Sequence, residues 1–409
     1  MRFSIERDTL TEAVAWVARA LSNRPVLPIL SGLLLTAAAE DDGDELVLSC
    51  FDYEVSARIR VAAQVTEPGT VLVPGRLLAE ITRSLPPLPV EIDDSVGSDV
   101  TLTCGAASFT LVTLPVEEYP KLPDLPVVAG TVDGGALAAA ISQVVPAASR
   151  DDTLPILTGV NIELDGDVMT FAATDRYRLA MRELSWQPAQ PDLTATVLIP
   201  AKTLADAARM MAPGLPAQIM LRGDERAGAW PKLAAGSEQL RAADAMIGFE
   251  SGGRRLTTRL IAGEFIKYKS RFPGEFGCCG DMPAAPLAEA VKRVALVAER
   301  GSSVRLSFGQ GQVTIEAGTE GQARARETVA AEFSGEEPTI AFSPGYLLDG
   351  LGAALTATSG AESAEDARIR LQFTSPTKPA VITGTVREHT GEAPDFRYLV
   401  VPLRALASA

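Results

Sequence analysis

Apolar positions along the chain follow two periods that alternate and then recur. Leu10, Val14 and Val17 share one helical face, and Thr9 with Glu12 reads as a capping box at its start. The same spacing returns at Leu137, Ile141 and Val144, and again at Leu287, Val291 and Val294. Each stretch also predicts a second helix just after a proline. Its apolar face holds Leu77, Leu78, Ile81 and Leu85 after Pro74, then Leu204, Ala207 and Met211 after Pro200. After Pro344 the counterparts are Leu347, Leu348, Leu351 and Leu355. Proline suits a first turn because it lacks only an N–H the helix would not use there. Between the helices lie LVLSCFDYEVSARIRV, MTFAATDRYRLAMREL and VTIEAGTEGQARARETV. Their period of two, ended by turn residues, predicts antiparallel strand pairs.

The recurrence is literal in places. LPILSG at Leu27 to Gly32 returns as LPILTG at Leu154 to Gly159, each read as the start of a strand. GTVLVPGRLL is echoed by ATVLIPAKTL and then by PTIAFSPGYLL. Several matches in the same order imply three tandem copies of one α+β domain, two helices plus antiparallel sheets. The expected divisions are 1–124, 125–275 and 276–409. YPKLPDLP and RFPGEFGCCGDMP serve as the linkers.

Composition narrows the chemistry. The 409 residues are 46% hydrophobic and 22% charged, ordinary for a globular chain. No apolar run approaches the roughly 18 residues of a membrane helix, and MRFSIERDTL has no apolar signal core. A cytoplasmic protein without membrane contact is expected. A single histidine, His389, removes paired-histidine metal sites and most histidine-based triads. The four cysteines lack C-x-x-C spacing, so neither a zinc ribbon nor a disulfide framework fits. There is no phosphate-cradling glycine loop or nucleophile turn, and Asp151–Asp152 reads as a turn rather than a Mg²⁺ site. No catalytic residue, metal or cofactor is expected. The net charge of −15 argues against a charge-driven grip on nucleic acid by the whole surface, while leaving room for a local basic lane.

With LPIL-G, VPGR and IPAK, ATDRYRLA, FESGGRRLTTRL and a terminal YLVVPLR in that order, the chain resembles the bacterial β sliding clamps. These are processivity subunits of the replicative polymerase, and the resemblance covers essentially the whole chain. It implies a head-to-tail homodimer closed into a pseudo-sixfold ring around duplex DNA. Phe109 and Leu111 of the first domain would meet Leu296 and Val297 of the third across that interface. It implies DNA contacts, blind to sequence, from Arg24, Arg76, Arg83, Arg150, Lys202 and Arg209. It also implies a cleft for short linear peptides of the polymerase, the clamp loader and repair proteins. The cleft would comprise Leu157, Thr174, Arg176, Arg178, Leu179, Ile266, Phe272, Ser343, Tyr346, Thr377, Pro379, Leu399, Val401, Pro402 and Arg404. Tyr346 is taken as the third-copy counterpart of Arg76 and Lys202, which assigns that surface a different use.

Three of these positions depart from the family pattern. Ile266 stands where a proline is expected, Ser343 where asparagine is usual, and Val401 where methionine is common. Each swap changes shape or hydrogen bonding. Two alternatives therefore stay open beside an ordinary clamp: an inhibitor-tolerant clamp with a retuned cleft, conferring antibiotic resistance, and a repeat scaffold that binds proteins without encircling DNA.

Overall fold

The computed structural model describes the whole chain except residues 23, 41–42, 95–98, 223–244, 300, 310, 319–322, 358–366, 387–394 and 404–409. Arg404 and His389 lie outside the described residues. The chain forms two compact units. The first contains Met1–Gly134 and the described residues from Arg209 to Leu260. The second contains Gly135–Ala208 and the described residues from Ile261 onward.

In the first unit, an antiparallel sheet runs in the order Gln64–Glu67, Arg2–Ile5, Val90–Asp93, Asp99–Cys104, Ala107–Val112. Ala107–Val112 is its edge. A second ladder runs Val127–Asp133, Pro216–Leu221, Met246–Ser251, Arg254–Arg259, Val55–Ala62, Gly43–Phe51, Gly32–Glu40, Gly69–Pro74. Helices α1 (Arg7–Ala18) and α2 (Gly75–Ser84) pack on each other, and the Thr11 hydroxyl donates to the Thr82 carbonyl at 2.9 Å. Leu10, Val14 and Val17 are fully buried, as are Leu78 and Leu85. Burying side chains of this size stabilises the unit by roughly 1.5–3 kcal/mol each.

In the second unit, one sheet runs from Thr194–Pro200 through Gly159–Asp165, Val168–Thr174, Arg178–Ser185 and Phe396–Val400. It continues through Ala380–Val386, Ala367–Phe373 and Cys278–Pro283 to Glu332–Ser334. A smaller one runs Arg324–Ala330, Gln312–Gly318, Val304–Gly309, Thr339–Phe342, with Arg324–Ala330 at its edge. Its described residues include the helices α3 (Gly134–Val144, whose first residue belongs to the first unit), α4 (Ala201–Ala208), α5 (Ala284–Val294) and α6 (Pro344–Ala357). The predicted faces Leu137/Ile141/Val144 and Leu287/Val291/Val294 are buried.

The repeat is visible in backbone detail. Asp52 Oδ1 accepts the amides of Glu54 and Val55, and Asp175 Oδ1 accepts those of Tyr177 and Arg178, all within 2.8–3.1 Å. Each turn forces the residue after the aspartate into the left-handed region, Tyr53 at φ 74° and Arg176 at φ 80°. The ladders that follow share a register: Val55 lies opposite Thr258, and Arg178 opposite Val400.

Several sequence expectations change. The LPIL segments begin as short 3₁₀ helices, Pro28–Ser31 and Pro155–Thr158, with the strands starting at Gly32 and Gly159. The α1 start is not a capping box, since Glu6 is the extended residue before the helix and accepts the Leu10 amide through its carbonyl. Leu77 is 46% exposed rather than core. Residues Cys278–Pro283 of the second linker form a strand. Finally, α2 and α4 begin after their proline, whereas α6 begins at Pro344. Ser343 therefore corresponds to Pro74 and Pro200, and Gly345, not Tyr346, corresponds to Arg76 and Lys202. Leu347 and Leu351 are buried as Leu78 and Thr82 are in their own helix, a match that this alignment alone gives.

Among the described residues, no helix is long and apolar enough to cross a membrane.

Candidate functional site

Thr174, Arg176, Arg178 and Leu179 lie on the turn between Val168–Thr174 and Arg178–Ser185 and at the ends of those strands, Leu399 on Phe396–Val400, and Tyr346 on the first turn of α6. Leu179 and Leu399 sit opposite each other on paired strands. With Tyr268, Ala172 and Met181 they form a buried apolar cluster, and Phe265 and Phe272 pack against it. Val401 continues the ladder, donating its amide to the Tyr177 carbonyl at 2.9 Å.

Arg178 is the centre of the polar part. It is only 6% exposed, and a buried guanidinium is costly unless its donors are used. Its Nε donates to Asp175 Oδ2 at 2.9 Å, and its Nη1 donates to Asp349 Oδ2 and to the Tyr398 hydroxyl. The guanidinium carbon lies 4.5 Å from the centre of the Tyr346 ring, and the Tyr398 hydroxyl donates to the Tyr346 carbonyl at 2.9 Å. Burial works to lower the Arg178 pKa, but Tyr398, Asp349 and Asp175 outweigh it and hold the group above its usual value. Burial pushes the Tyr346 phenol up, and Asp175 adds to the rise. Tyr177, 54% exposed, stacks on Tyr346 with centroids 6.2 Å apart. The Thr174 hydroxyl donates to the Arg178 carbonyl at 2.6 Å and accepts the Arg176 amide, which fixes the strained turn. The site thus combines a stacked pair of aromatic rings, one of them against the Arg178 cation, with an apolar cluster on the strands that carry Leu179 and Leu399.

Other predicted members stand further out. Ile266 is 39% exposed and lines a cavity of about 490 Å³ with Asn161, Glu163, Thr196, Leu198 and Tyr268. Burial pushes the Tyr268 phenol up, and the nearby Glu163 carboxylate adds to it. Thr377 is exposed in a turn closed by the Lys378 amide on the Ser375 carbonyl, and Pro379 precedes the strand Ala380–Val386. Leu157 and Pro402 are buried, and Ser343 is half-buried where α6 begins.

All six predicted DNA-contacting residues are exposed. Arg76 and Arg83 are on α2, Lys202 is on α4, and Arg209 follows α4. Arg24 and Arg150 lie in the loops before the two 3₁₀ turns. The Arg76 guanidinium also reaches the Leu21 and Ser22 carbonyls at 3.3 and 3.1 Å. Of the four predicted interface residues, Leu296 is 82% exposed, Phe109 and Val297 are half-buried, and Leu111 is 2% exposed within its own sheet. Asp151 uses its carboxylate within a turn, taking the Thr153 amide and hydroxyl at 3.0 and 2.6 Å. Among the described residues no cluster of His, Cys, Asp or Glu is arranged to hold a metal.

Asp349 and Tyr398 are site residues that the sequence reading passed over. Asp349 is one helical turn beyond Tyr346, a spacing that places both on one face, but nothing in the sequence says that face meets Arg178.

Repeated domains of this construction define a clamp-type chain, and comparison with known proteins is specific. The chain matches the N-terminal, central and C-terminal domains of the DNA polymerase III beta subunit over residues 1–123, 131–267 and 269–404. It belongs to the bacterial β sliding clamp family. It is 49% identical to the beta sliding clamp of Streptomyces coelicolor, covering 99% of both chains. It is 41% identical to the beta sliding clamp homolog GriR of Streptomyces muensis, again over 99% of each. Among solved structures, the Bacillus subtilis clamp matches with a TM-score of 0.81 at 26% identity, over 99% of both chains. A Pseudomonas aeruginosa clamp bound to griselimycin matches with the same score, identity and coverage.

Proposed function

We propose that two copies of this chain close head to tail around duplex DNA, and that the cleft around Tyr346 tethers polymerase, clamp-loader and repair proteins by short peptides. The observation that carries this reading is the pair of open sheet edges. Arg254–Arg259 pairs with Val55–Ala62, and Phe396–Val400 pairs with Arg178–Ser185, in the same repeat register. Ala107–Val112 is the first-domain counterpart of the former strands, because its hairpin pairs Cys104 with Ala107 as Ser251 pairs with Arg254. Arg324–Ala330 is the third-domain counterpart of the latter. Each is an edge within its own chain, and an open edge is a template for pairing. A heterologous contact of this kind gives a ring when its rotation closes.

Sliding needs DNA contacts that position without reading bases, and exposed arginines and lysine on α2 and α4 can supply them. Retention comes from closure rather than affinity, which suits a chain of net charge −15. The aromatic pair Tyr177–Tyr346 and the apolar cluster around Leu179 and Leu399 suit a peptide's large apolar side chain. Two measurements test the reading. The mass in solution should be about twice 43.0 kDa. Protein loaded by a clamp loader should stay on circular DNA and run off when the circle is cut. A monomer that binds linear and circular DNA alike would favour the scaffold alternative.

A second reading is favoured by Ile266, Ser343 and Val401 together with the likeness to a clamp homolog and to a griselimycin-bound clamp. Under it, the cleft admits the cell's own peptides and excludes an inhibitor by shape. The triple change Ile266→Pro, Ser343→Asn and Val401→Met should then raise griselimycin affinity. Unchanged affinity would overturn it.

A further inference from the structure

We infer that Asp349 is a positioning residue for the peptide cleft: it holds the Arg178 guanidinium against the Tyr346 ring and so fixes the aromatic surface that a peptide meets. This rests on the cleft reading given above.

Four groups surround the Arg178 guanidinium. Asp175 takes Nε from the strained turn, Asp349 takes Nη1 from α6, Tyr398 adds a hydroxyl at 3.4 Å, and the Tyr346 ring closes the fourth side at 4.5 Å. With its side chain 7% exposed, the guanidinium has little surface left for a ligand. Arg178 is therefore a strut, and the cleft offers aromatic faces rather than a cation.

The two carboxylates are not equivalent. Asp175 is 11% exposed and spends its other oxygen on two backbone amides, so it maintains the turn itself. Asp349 is 43% exposed, and its carboxylate accepts from the Arg178 guanidinium. It lies on the same helix as Tyr346, so its bond to Arg178 ties the turn Thr174–Arg178 to the first turns of α6. The second tie, from the Tyr398 hydroxyl, reaches only the Tyr346 backbone. The ring depends on Arg178, and Arg178 is aimed at it by Asp349. A cation over an aromatic face is attracted to the ring's quadrupole, and holding the ring in its bound position removes part of the ordering cost of binding.

The test is a double-mutant cycle on the full-length dimer. Its probe is a fluorescently labelled synthetic peptide copying the carboxyl-terminal tail of the replicative polymerase from the same cell. Asp349→Asn keeps the side chain's shape and removes its charge; the dimer mass should be unchanged, and the protein should remain folded at the assay temperature by its unfolding midpoint. Peptide affinity should fall about tenfold. In a Tyr346→Ala background, the same Asp349→Asn change should have no further effect, because there is no ring left to position.

Wild-type affinity in Asp349→Asn would overturn the inference. So would an equal loss with and without Tyr346, which would mean that Asp349 touches the peptide itself. Absence of peptide binding by the wild-type dimer is a separate outcome, and it would overturn the cleft reading beneath.

Discussion

Repeat symmetry makes the proposed dimer contact quantitative to one residue. In the first unit Thr257 lies opposite Ser56, and their hydroxyls are 2.5 Å apart. In the second unit the equivalent pair is Leu399 and Leu179. Thr110 is the counterpart of Thr257, since both stand six residues beyond the strand end of their hairpins at Cys104 and Ser251. Arg324 is the counterpart of Ser56 and Leu179, because it lies opposite Gly318 as they lie opposite Phe51 and Thr174. Thr110 of one protomer should therefore face Arg324 of its partner. Directly opposed residues in an antiparallel pair have Cα atoms about 4.5–5.5 Å apart, inside the roughly 4.4–6.8 Å span of a disulfide. A slip of two residues moves the partner about 7 Å along the strand, beyond that span.

The variant Thr110→Cys with Arg324→Cys should oxidise to a species of about twice 43.0 kDa on a non-reducing gel and return to monomer with dithiothreitol. Of the native thiols, Cys50, Cys104 and Cys278 are buried and Cys279 is half-buried, so each single-cysteine variant serves to measure the background. Thr110→Cys with Arg326→Cys is the slipped control and should not cross-link. Cross-linking by the control but not by the predicted pair would refute the register. Failure of both in a protein that is dimeric by mass would refute the strand-edge contact altogether.

Three further expectations concern the interior and the turns. A Cβ at Gly350 would lie 2.6 Å from the Tyr398 ring, so Gly350→Ala should overpack α6 and cost about 1–3 kcal/mol in chemical unfolding; an unchanged midpoint would show the ring can yield. Asp151 is held below its usual carboxylate value by the Thr153 hydroxyl and amide, so its contribution to stability is present above that value and fades as the pH falls through the lowered one. Thr153→Val should raise the Asp151 carboxyl toward 3.8 in an NMR titration, and no movement would refute the assignment. Burial pushes the Cys50 thiol up to about 12, so it should resist alkylation at pH 8 until the protein unfolds, as mass mapping of the labelled sites would reveal.

Much of this architecture is legible without coordinates because it is local. Periods of 3.6 and 2 report which faces must leave water, so the buried stripes of α1, α3 and α5 and the strand runs follow from side-chain order alone. Repetition adds the domain count, since LPIL-G and the proline before each second helix recur in order. The same logic explains the misses. Thr9 and Glu12 have the spacing of a cap, but Glu6 starts the helix because its carbonyl bonds Leu10. Alignment on the prolines puts Tyr346 with Lys202, whereas helix starts and buried positions put Gly345 there, a one-residue shift that a short match cannot detect. Pairings across long separations belong to the tertiary structure. Nothing near Tyr346 in sequence announces Asp175, Arg178 or Tyr398, which lie far from it along the chain. They meet because burying α6 and closing the Arg178–Val400 ladder brings a guanidinium into a buried position where those groups accept its donors. Burial and ladder registry decided that, after local pattern had decided which elements existed.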